Sequence, residues 1–151
     1  MKPVLVLDTG PLGLLFQRRR LKVADDCREW LRGHLVSGVR VIVPEIADYE
    51  LRRELLRLGH VGAIAALDAF NQAEPDRYLP LTTSSMRRAA ELWADVRRRG
   101  VPTADRYALD GDVILAGQVL AAGFQPPDFV VATTNPVHLA RLVPAQDWAA
   151  I

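Results

Sequence analysis

VLVLDTGPL, residues 4–12, restricts the chain to one class of fold. Its four consecutive apolar residues predict a strand that is buried on both faces, as strands of parallel sheets are. Gly10 and Pro11 end the apolar run, and a short helix through Phe16 is expected after them. Asp8 follows the strand directly, so it should lie at the carboxyl edge of the sheet, where open α/β sheets bind their ligands.

Apolar strands and helical patterns alternate along the rest of the chain. Further strands are predicted over 39–43, 78–81 and 129–132. Helices are predicted over 23–36, 45–58, 61–73 and 110–122, with another that is capped within 82–84 and ends at 99 and a short one after Pro136. The segment 101–109 contains Pro102 and is predicted to be a loop. This alternation predicts right-handed crossovers and an α/β fold, in which a parallel sheet carries helices on both faces.

The composition is that of an ordinary globular protein. Half of the residues are hydrophobic and a quarter are charged, as is usual for a globular domain. The length of 151 residues predicts a single domain over residues 1–151. No apolar run in the sequence approaches the roughly 20 residues of a membrane-spanning helix. The run before Asp8 is too short for a secretory signal, so we expect a cytoplasmic protein.

Cys27 is the only cysteine, which excludes an intrachain disulfide and a cysteine-based metal site.

The positive charge is concentrated in arginine clusters, although the net charge is only +1. A net charge this small does not by itself indicate a nucleic-acid-binding protein. Arginine is nevertheless well suited to forked contacts with phosphate, so the clusters are either phosphate contacts or solvated helix faces. They lie at 18–20, 52–53, 87–88 and 97–99.

Two aspartates are candidates for a shared acidic site. Asp8 lies at the carboxyl end of the first strand, and its alternative role is to cap the next helix. Asp110 is explained as the cap of the helix over 110–122. Asp112 would lie in the first turn of that helix, where the helix dipole favours a carboxylate, or it would be a second acid at the same edge as Asp8.

Glu50 is the third candidate, on the helix over 45–58. The predicted apolar stripe of that helix contains Ile46, Tyr49, Leu55 and Leu56, and Glu50 lies one turn beyond Ile46 on the same side. A glutamate on an inward-facing stripe requires a cation, which is either a metal or a neighbouring arginine at position 53 or 57. The charged residues Asp48, Arg52, Arg53 and Glu54 are predicted to form the solvated face.

Thr133 and Asn135 follow the strand over 129–132, so their oxygens should also lie at the carboxyl edge. Their alternative role is to cap the helix after Pro136. Together with Asp8, Glu50 and Asp112, they would supply oxygen ligands from four segments of the chain. Such a ligand set suits Mg²⁺ or Mn²⁺ rather than zinc.

Four motifs make the chain resemble the PIN-domain proteins, and in particular the VapC-type toxins of toxin–antitoxin pairs. The motifs are VLVLDTGPL, VPEIADYELRREL, LDGDVILAGQVLAAG and VVATTNPVHL, and the resemblance spans essentially the whole chain. The resemblance implies that the first three acids of the family correspond to Asp8, Glu50 and Asp112. The hydroxyl residue of its last motif corresponds to Thr133. Asn135 stands where the family has a fourth acid, so the chain departs from the family pattern there.

The resemblance also implies a fold and an activity. The fold would be a three-layer α/β/α domain of the PIN-like kind with a central, mainly parallel sheet. The activity would be hydrolysis of RNA phosphodiester bonds with Mg²⁺ or Mn²⁺. The expected partners are an RNA substrate, a cognate antitoxin protein and a second copy of the chain in a homodimer.

The sequence supports a mechanism and several alternatives. Asp8 and Asp112 would bind the metal directly, Glu50 would bind it directly or through water, and Thr133 and Asn135 would orient the attacking water. One alternative is an aspartic protease, because Asp8-Thr9-Gly10 is the signature of that mostly β class. Another is a phosphoryl-transfer enzyme with Asp8 as its nucleophile. A third is a PIN-like RNA- or partner-binding module that is weakly active or inactive.

Overall fold

The structure is a computed structural model that describes residues 2–100 and 105–151. Its strands are β1 (Val4–Leu7), β2 (Val41–Pro44), β3 (Tyr78–Leu79), β4 (Phe129–Thr133) and β5 (Ala145–Asp147). Its α-helices are α1 (Thr9–Leu15), α2 (Lys22–Val36), α3 (Glu45–Leu58), α4 (Val61–Gln72), α5 (Thr83–Arg99), α6 (Arg106–Ala121) and α7 (Pro136–Leu139). A 3₁₀ helix over Trp148–Ala150 follows β5.

The strands form one parallel sheet in the order β3-β2-β1-β4-β5. Side chains alternate across it, because successive residues of a strand point to opposite faces. Leu5 and Leu7 pack with residues of α1, α2, α3 and α4 on one face, whereas Val6 packs with residues of α6 and α7 on the other. The three-layer α/β/α arrangement predicted from the sequence is therefore confirmed.

Most of the predicted elements are present, and two predictions near the sheet were incomplete. β2 begins at Val41 rather than at residue 39. The sequence did not predict β5, which pairs in parallel with β4. β5 has only three residues and two of them are exposed, so it lacks the apolar run that identifies a buried strand.

The predicted loop over 101–109 was wrong for residues 106–109, which belong to α6; residues 101–104 lie outside the described residues. Asp105 accounts for the early start, because its carboxylate accepts a hydrogen bond of 3.0 Å from the Ala108 backbone N–H. This is the contact of a helix N-cap. Asp110, predicted to be the cap, instead lies within the helix.

The inward face of α3 was also partly mispredicted. Ile46 and Leu55 are buried as expected, but Tyr49 and Leu56 are 53% and 62% exposed. Asp48, assigned to the solvated face, is only 4% exposed. Its carboxylate accepts hydrogen bonds from Arg52 and from Asn71 of α4 at 2.7 and 2.8 Å, which explains how a charged group is tolerated there.

Gln118 of α6 fixes the position of α3 relative to the sheet. Its buried side chain accepts a hydrogen bond of 3.1 Å from the Ile46 backbone N–H in the first turn of α3. The amide of the same side chain donates a bond of 2.8 Å to the Leu79 carbonyl at the end of β3. One residue thus pairs a buried and a partly buried backbone group, which would be costly to leave unpaired.

The helices α5 and α6 approach each other closely at Gly117. A Cβ atom at this position would lie 2.6 Å from the Ser85 carbonyl oxygen and 2.9 Å from the Ala89 backbone nitrogen. Both contacts are with backbone atoms of α5, which cannot move without moving the helix. In the described parts of the chain, no helix is long and apolar enough to cross a lipid bilayer.

The first prediction compares two helical glycines. Gly117→Ala is expected to destabilise the protein by about 1–3 kcal/mol, because the added methyl group overlaps the α5 backbone. Gly33→Ala is the matched control, since a Cβ there meets no described atom within 4 Å, and it is expected to stabilise by about 0.4–1 kcal/mol. Urea unfolding of both variants checks the prediction. Stabilisation by both substitutions would contradict the close packing of α5 on α6.

Candidate functional site

Asp8 lies between β1 and α1, where two neighbours bind its carboxylate. Oδ1 accepts a hydrogen bond of 2.8 Å from the Thr9 backbone N–H, and Oδ2 accepts one of 2.8 Å from the Thr133 hydroxyl. Asp8 is therefore the N-cap of α1, as its alternative role required, and it also lies at the carboxyl edge of the sheet. Burial raises the pKa of Asp8, and the two hydrogen bonds only partly oppose this effect.

Thr133 reaches Asp8 because β1 and β4 are paired, with Leu7 opposite Ala132. The Thr133 side chain is buried, and its hydroxyl oxygen also accepts a bond of 3.2 Å from the Asn135 backbone N–H. The accepted bond leaves the hydroxyl proton directed at Asp8. In this structure, Thr133 therefore orients an acid.

Glu50 reaches the same region from α3. Its Oε1 accepts a hydrogen bond of 3.0 Å from the Thr9 hydroxyl, and its Oε2 lies 3.9 Å from Arg53 Nη2. A Cβ atom at Gly111 would lie 3.4 Å from both carboxylate oxygens, so the α6 backbone passes beside this group. Burial and the negative charge of Asp8 raise the pKa of Glu50, while Thr9 and Arg53 act in the opposite direction.

Asp112 lies in the second turn of α6, because the helix begins at Arg106. The dipole explanation predicted from the sequence is weakened by this position, since the dipole acts mainly within the first turn. Burial, followed by the negative charges of Asp8 and Glu50, raises the pKa of Asp112 to about 7. The structure thus brings three carboxylates from three elements within electrostatic range of one another.

The three carboxylates do not form a ready-made metal site. Within residues 2–100 and 105–151, no three His, Cys, Asp or Glu side chains converge closely enough to hold one ion. The donors nevertheless suit a hard divalent cation, since all three are carboxylates. Each Asp8 oxygen accepts one hydrogen bond, which leaves further lone pairs available. The three carboxylates would therefore have to move closer together to share one ion.

Asn135 is exposed and occupies the N-cap position of α7. Its side chain makes no capping hydrogen bond in the described part of the chain, so the capping role is not seen. Its backbone N–H contributes to the site through Thr133. The structure places Asn135 at the same edge as the acids but records no contact between its amide group and them.

Thr9 contacts two of the acids, and this role was not predicted from the sequence. Its backbone N–H binds Asp8 and its hydroxyl binds Glu50, so it links the end of β1 to α3. Its position next to Asp8 was a signal, but the partner of its hydroxyl is 41 residues away in the sequence. Gly10 keeps α1 close to β4, because a Cβ atom there would overlap the Thr134 side chain.

The sequence matches no protein-family model and no curated protein, whereas solved structures match over nearly the whole chain. DNA-bound VapBC from Salmonella typhimurium matches with a TM-score of 0.69 and 19% identity, covering 97% of this chain and 98% of that chain. VapBC2 from Rickettsia felis, bound to a promoter DNA fragment, gives 0.67 and 13%, with coverage of 96% and 98%. FitAcB from Neisseria gonorrhoeae gives 0.66 and 17%, with coverage of 98% and 100%.

The chain shares the fold of these proteins. The PIN-like fold predicted from the sequence is thereby confirmed. At these identities the likeness extends to the fold, so the roles of individual residues rest on the geometry of this chain. The aspartic-protease alternative required a mostly β structure and is excluded by the parallel α/β sheet.

The second prediction concerns pH. The pKa of Asp112 lies above that of an ordinary aspartate. Between about pH 4 and pH 7, Asp112 is therefore protonated in the folded protein but ionised in the unfolded chain. The stabilisation given by the protonated form is complete below this window and is lost as pH rises through about 7. Asp112→Asn is neutral at every pH. This substitution is expected to stabilise the metal-free protein by about 1–2 kcal/mol near pH 8. The gain is modest because residue 112 is partly exposed and solvent screens its charge.

Thermal unfolding in EDTA at about pH 5 and about pH 8 checks this, with a larger gain expected at the higher pH. Asp110→Asn is the matched control, because Asp110 is exposed on the same helix. A gain that is equal at both pH values would contradict the electrostatic coupling of the three acids.

Proposed function

We propose that this chain is a Mg²⁺- or Mn²⁺-dependent endoribonuclease that hydrolyses RNA phosphodiester bonds as the toxin of a toxin–antitoxin pair. The observation that carries the proposal is the group of Asp8, Glu50 and Asp112, whose charges oppose one another in a partly buried site. Concentrating like charges costs stability, and such costs are typical of sites that bind a cation or perform catalysis.

Each residue of the site has a proposed role. Asp8 and Asp112 would hold the metal directly, and Glu50 would hold it directly or through water. A bound divalent ion would polarise the scissile phosphate and lower the pKa of a coordinated water. Thr133 keeps Asp8 in position through its hydroxyl, and Asn135 would orient the attacking water. The arginine clusters of the sequence would bind RNA phosphates and contribute salt-dependent affinity.

The partners are proposed from the fold. The matched structures are VapBC and FitAcB assemblies, and this chain covers nearly the full length of the matched chains. A cognate antitoxin is therefore the proposed protein partner, with a second copy of the chain as a further one.

A catalytically weak or inactive module that binds RNA or a protein is the second candidate. Two observations favour it. Asn135 brings no charge where the resembled family has an acid, and the described carboxylates would have to move closer together before they can share one ion. Metal binding distinguishes the two candidates.

The third prediction tests cleavage. Asp8→Asn and Asp112→Asn are each expected to reduce Mn²⁺-dependent cleavage of a single-stranded RNA by at least about 100-fold, because each removes a charge from the reacting centre. Asp112→Asn is expected to be more stable than the parent without metal, so lost activity could not be attributed to unfolding. Asp110→Asn should cleave normally. Unchanged cleavage by both site variants would refute the proposed mechanism.

A companion Mn²⁺ titration measures binding without cleavage. Millimolar Mn²⁺ is expected to raise the melting temperature of the parent protein, because a ligand of the folded state stabilises it. The rise should be absent in Asp112→Asn. A parent protein that binds RNA but neither responds to Mn²⁺ nor cleaves would support the inactive module instead.

The fourth prediction concerns Thr9. Thr9→Val keeps the shape of the side chain but removes the hydroxyl that orients Glu50, so Mn²⁺ affinity is expected to fall by about 10-fold. Thr9→Ser retains the hydroxyl and should preserve the affinity. Isothermal titration with Mn²⁺ measures both variants. Equal affinity of the valine and serine variants would show that the bond to Glu50 has no part in metal binding.

A further inference from the structure

Tyr49 lies beside Glu50 on α3 and is exposed over half of its surface. The guanidinium carbon of Arg53 lies 5.1 Å from the centre of its ring. Nη2 of the same guanidinium lies 3.9 Å from Glu50 Oε2. A single planar cation therefore lies over an exposed aromatic ring and within 3.9 Å of an acid of the candidate site.

The fold does not require this ring. The side chains that α3 buries are those of Ile46, Ala47, Asp48, Leu51 and Leu55, and Tyr49 belongs to none of the three hydrophobic clusters of the described residues. The Arg53 side chain is itself exposed, so its contacts with Tyr49 and Glu50 contribute little to stability. An aromatic ring at the rim of an acidic site is thus available to a ligand.

We propose that Tyr49 and Arg53 form a stacking site for an unpaired nucleobase of the RNA, next to the phosphodiester that the acids would cleave. The inference rests on the proposed function and specifies its substrate as a single-stranded segment. Aromatic rings and guanidinium planes both stack on bases, whatever the base. Paired bases within a duplex are already stacked, so their faces are not available to the ring.

The same pair explains how RNA could approach three carboxylates. The acids repel phosphate, whereas Arg53 presents a cation at the edge of the group. Stacking on Tyr49 adds an attraction that does not depend on charge. A base held on the ring would keep its neighbouring phosphate beside Glu50 even though the local potential is negative.

A protein partner is the competing occupant of this face. Leu56 lies two turns after Tyr49 on the same side of α3 and is also exposed. A protein interface would use both Tyr49 and Leu56, whereas a base stacked beside Glu50 would use Tyr49 and not Leu56. Leu56→Ala is therefore the control that separates the two occupants.

The test is performed in an Asp8→Asn background, which is expected not to cleave, with Mg²⁺ present. Fluorescence anisotropy would measure three labelled probes of about a dozen nucleotides: a single-stranded RNA, the same RNA in a duplex, and an abasic strand with the same backbone. The single strand is expected to bind about tenfold more tightly than the abasic strand. Tyr49→Ala should remove this difference without changing the affinity for the abasic strand. Tyr49→Phe and Leu56→Ala should leave all affinities unchanged.

Each contrary result has a distinct meaning. If neither the Asp8→Asn protein nor the parent protein binds any of the probes, the proposed function fails together with the inference. If it binds RNA but Tyr49→Ala binds all probes as the parent does, only the stacking site is refuted. If Tyr49→Ala and Leu56→Ala both alter the oligomeric state in size-exclusion chromatography while RNA affinity is unchanged, the face is a protein interface. Melting curves of every variant confirm that loss of affinity is not loss of folding.

Discussion

The repulsion among Asp8, Glu50 and Asp112 is the constraint around which the site is organised. The three acids are compensated unequally. Asp8 accepts two hydrogen bonds, from Thr9 and Thr133, and Glu50 accepts one, with Arg53 at a longer distance. Every interaction that shifts the pKa of Asp112 raises it. Asp112 therefore holds its proton more tightly than an ordinary aspartate, and a bound cation would favour its ionisation.

The sheet and a few close contacts make this grouping possible. Pairing of β1 with β4 sets Asp8 beside Thr133, and Gln118 fixes the first turn of α3 near the end of β3. Gly10 then lets α1 lie close to Thr134 after β4, and the α6 backbone at Gly111 passes beside the Glu50 carboxylate. The fold provides the edge, and these local contacts determine which side chains face one another. The acids consequently come within electrostatic range of one another although Asp8 and Asp112 are 104 positions apart in the sequence.

The sequence predicted the parts of this arrangement that depend on local patterns. Asp8 and Thr133 were placed at the carboxyl edge because each directly follows an apolar strand. Two of the errors lie where the outcome depends on a distant partner. Asp48 is buried because Asn71 of α4 contacts it, and the role of Thr9 depends on Glu50, 41 residues away. The predicted start of α6 was wrong because Asp105 and Asp110 are both suitable N-cap residues. Only the hydrogen bond from the Ala108 backbone N–H to Asp105 shows which of them caps the helix.

Two acids of α3 differ in how completely they are neutralised. Asp48 is bound by Arg52 at 2.7 Å and by Asn71, and Arg52 is shared with Asp68 at 2.6 Å. Glu50, two residues later, has its arginine at 3.9 Å and one hydroxyl donor. A buried carboxylate that served only the fold would be expected to have partners like those of Asp48, because unpaired buried charge is costly. Glu50 instead remains incompletely neutralised beside two other acids, and its arginine contacts an exposed ring. Incomplete neutralisation of Glu50, and an arginine placed over an exposed ring, are expected if a bound cation and a substrate complete the contacts of this site.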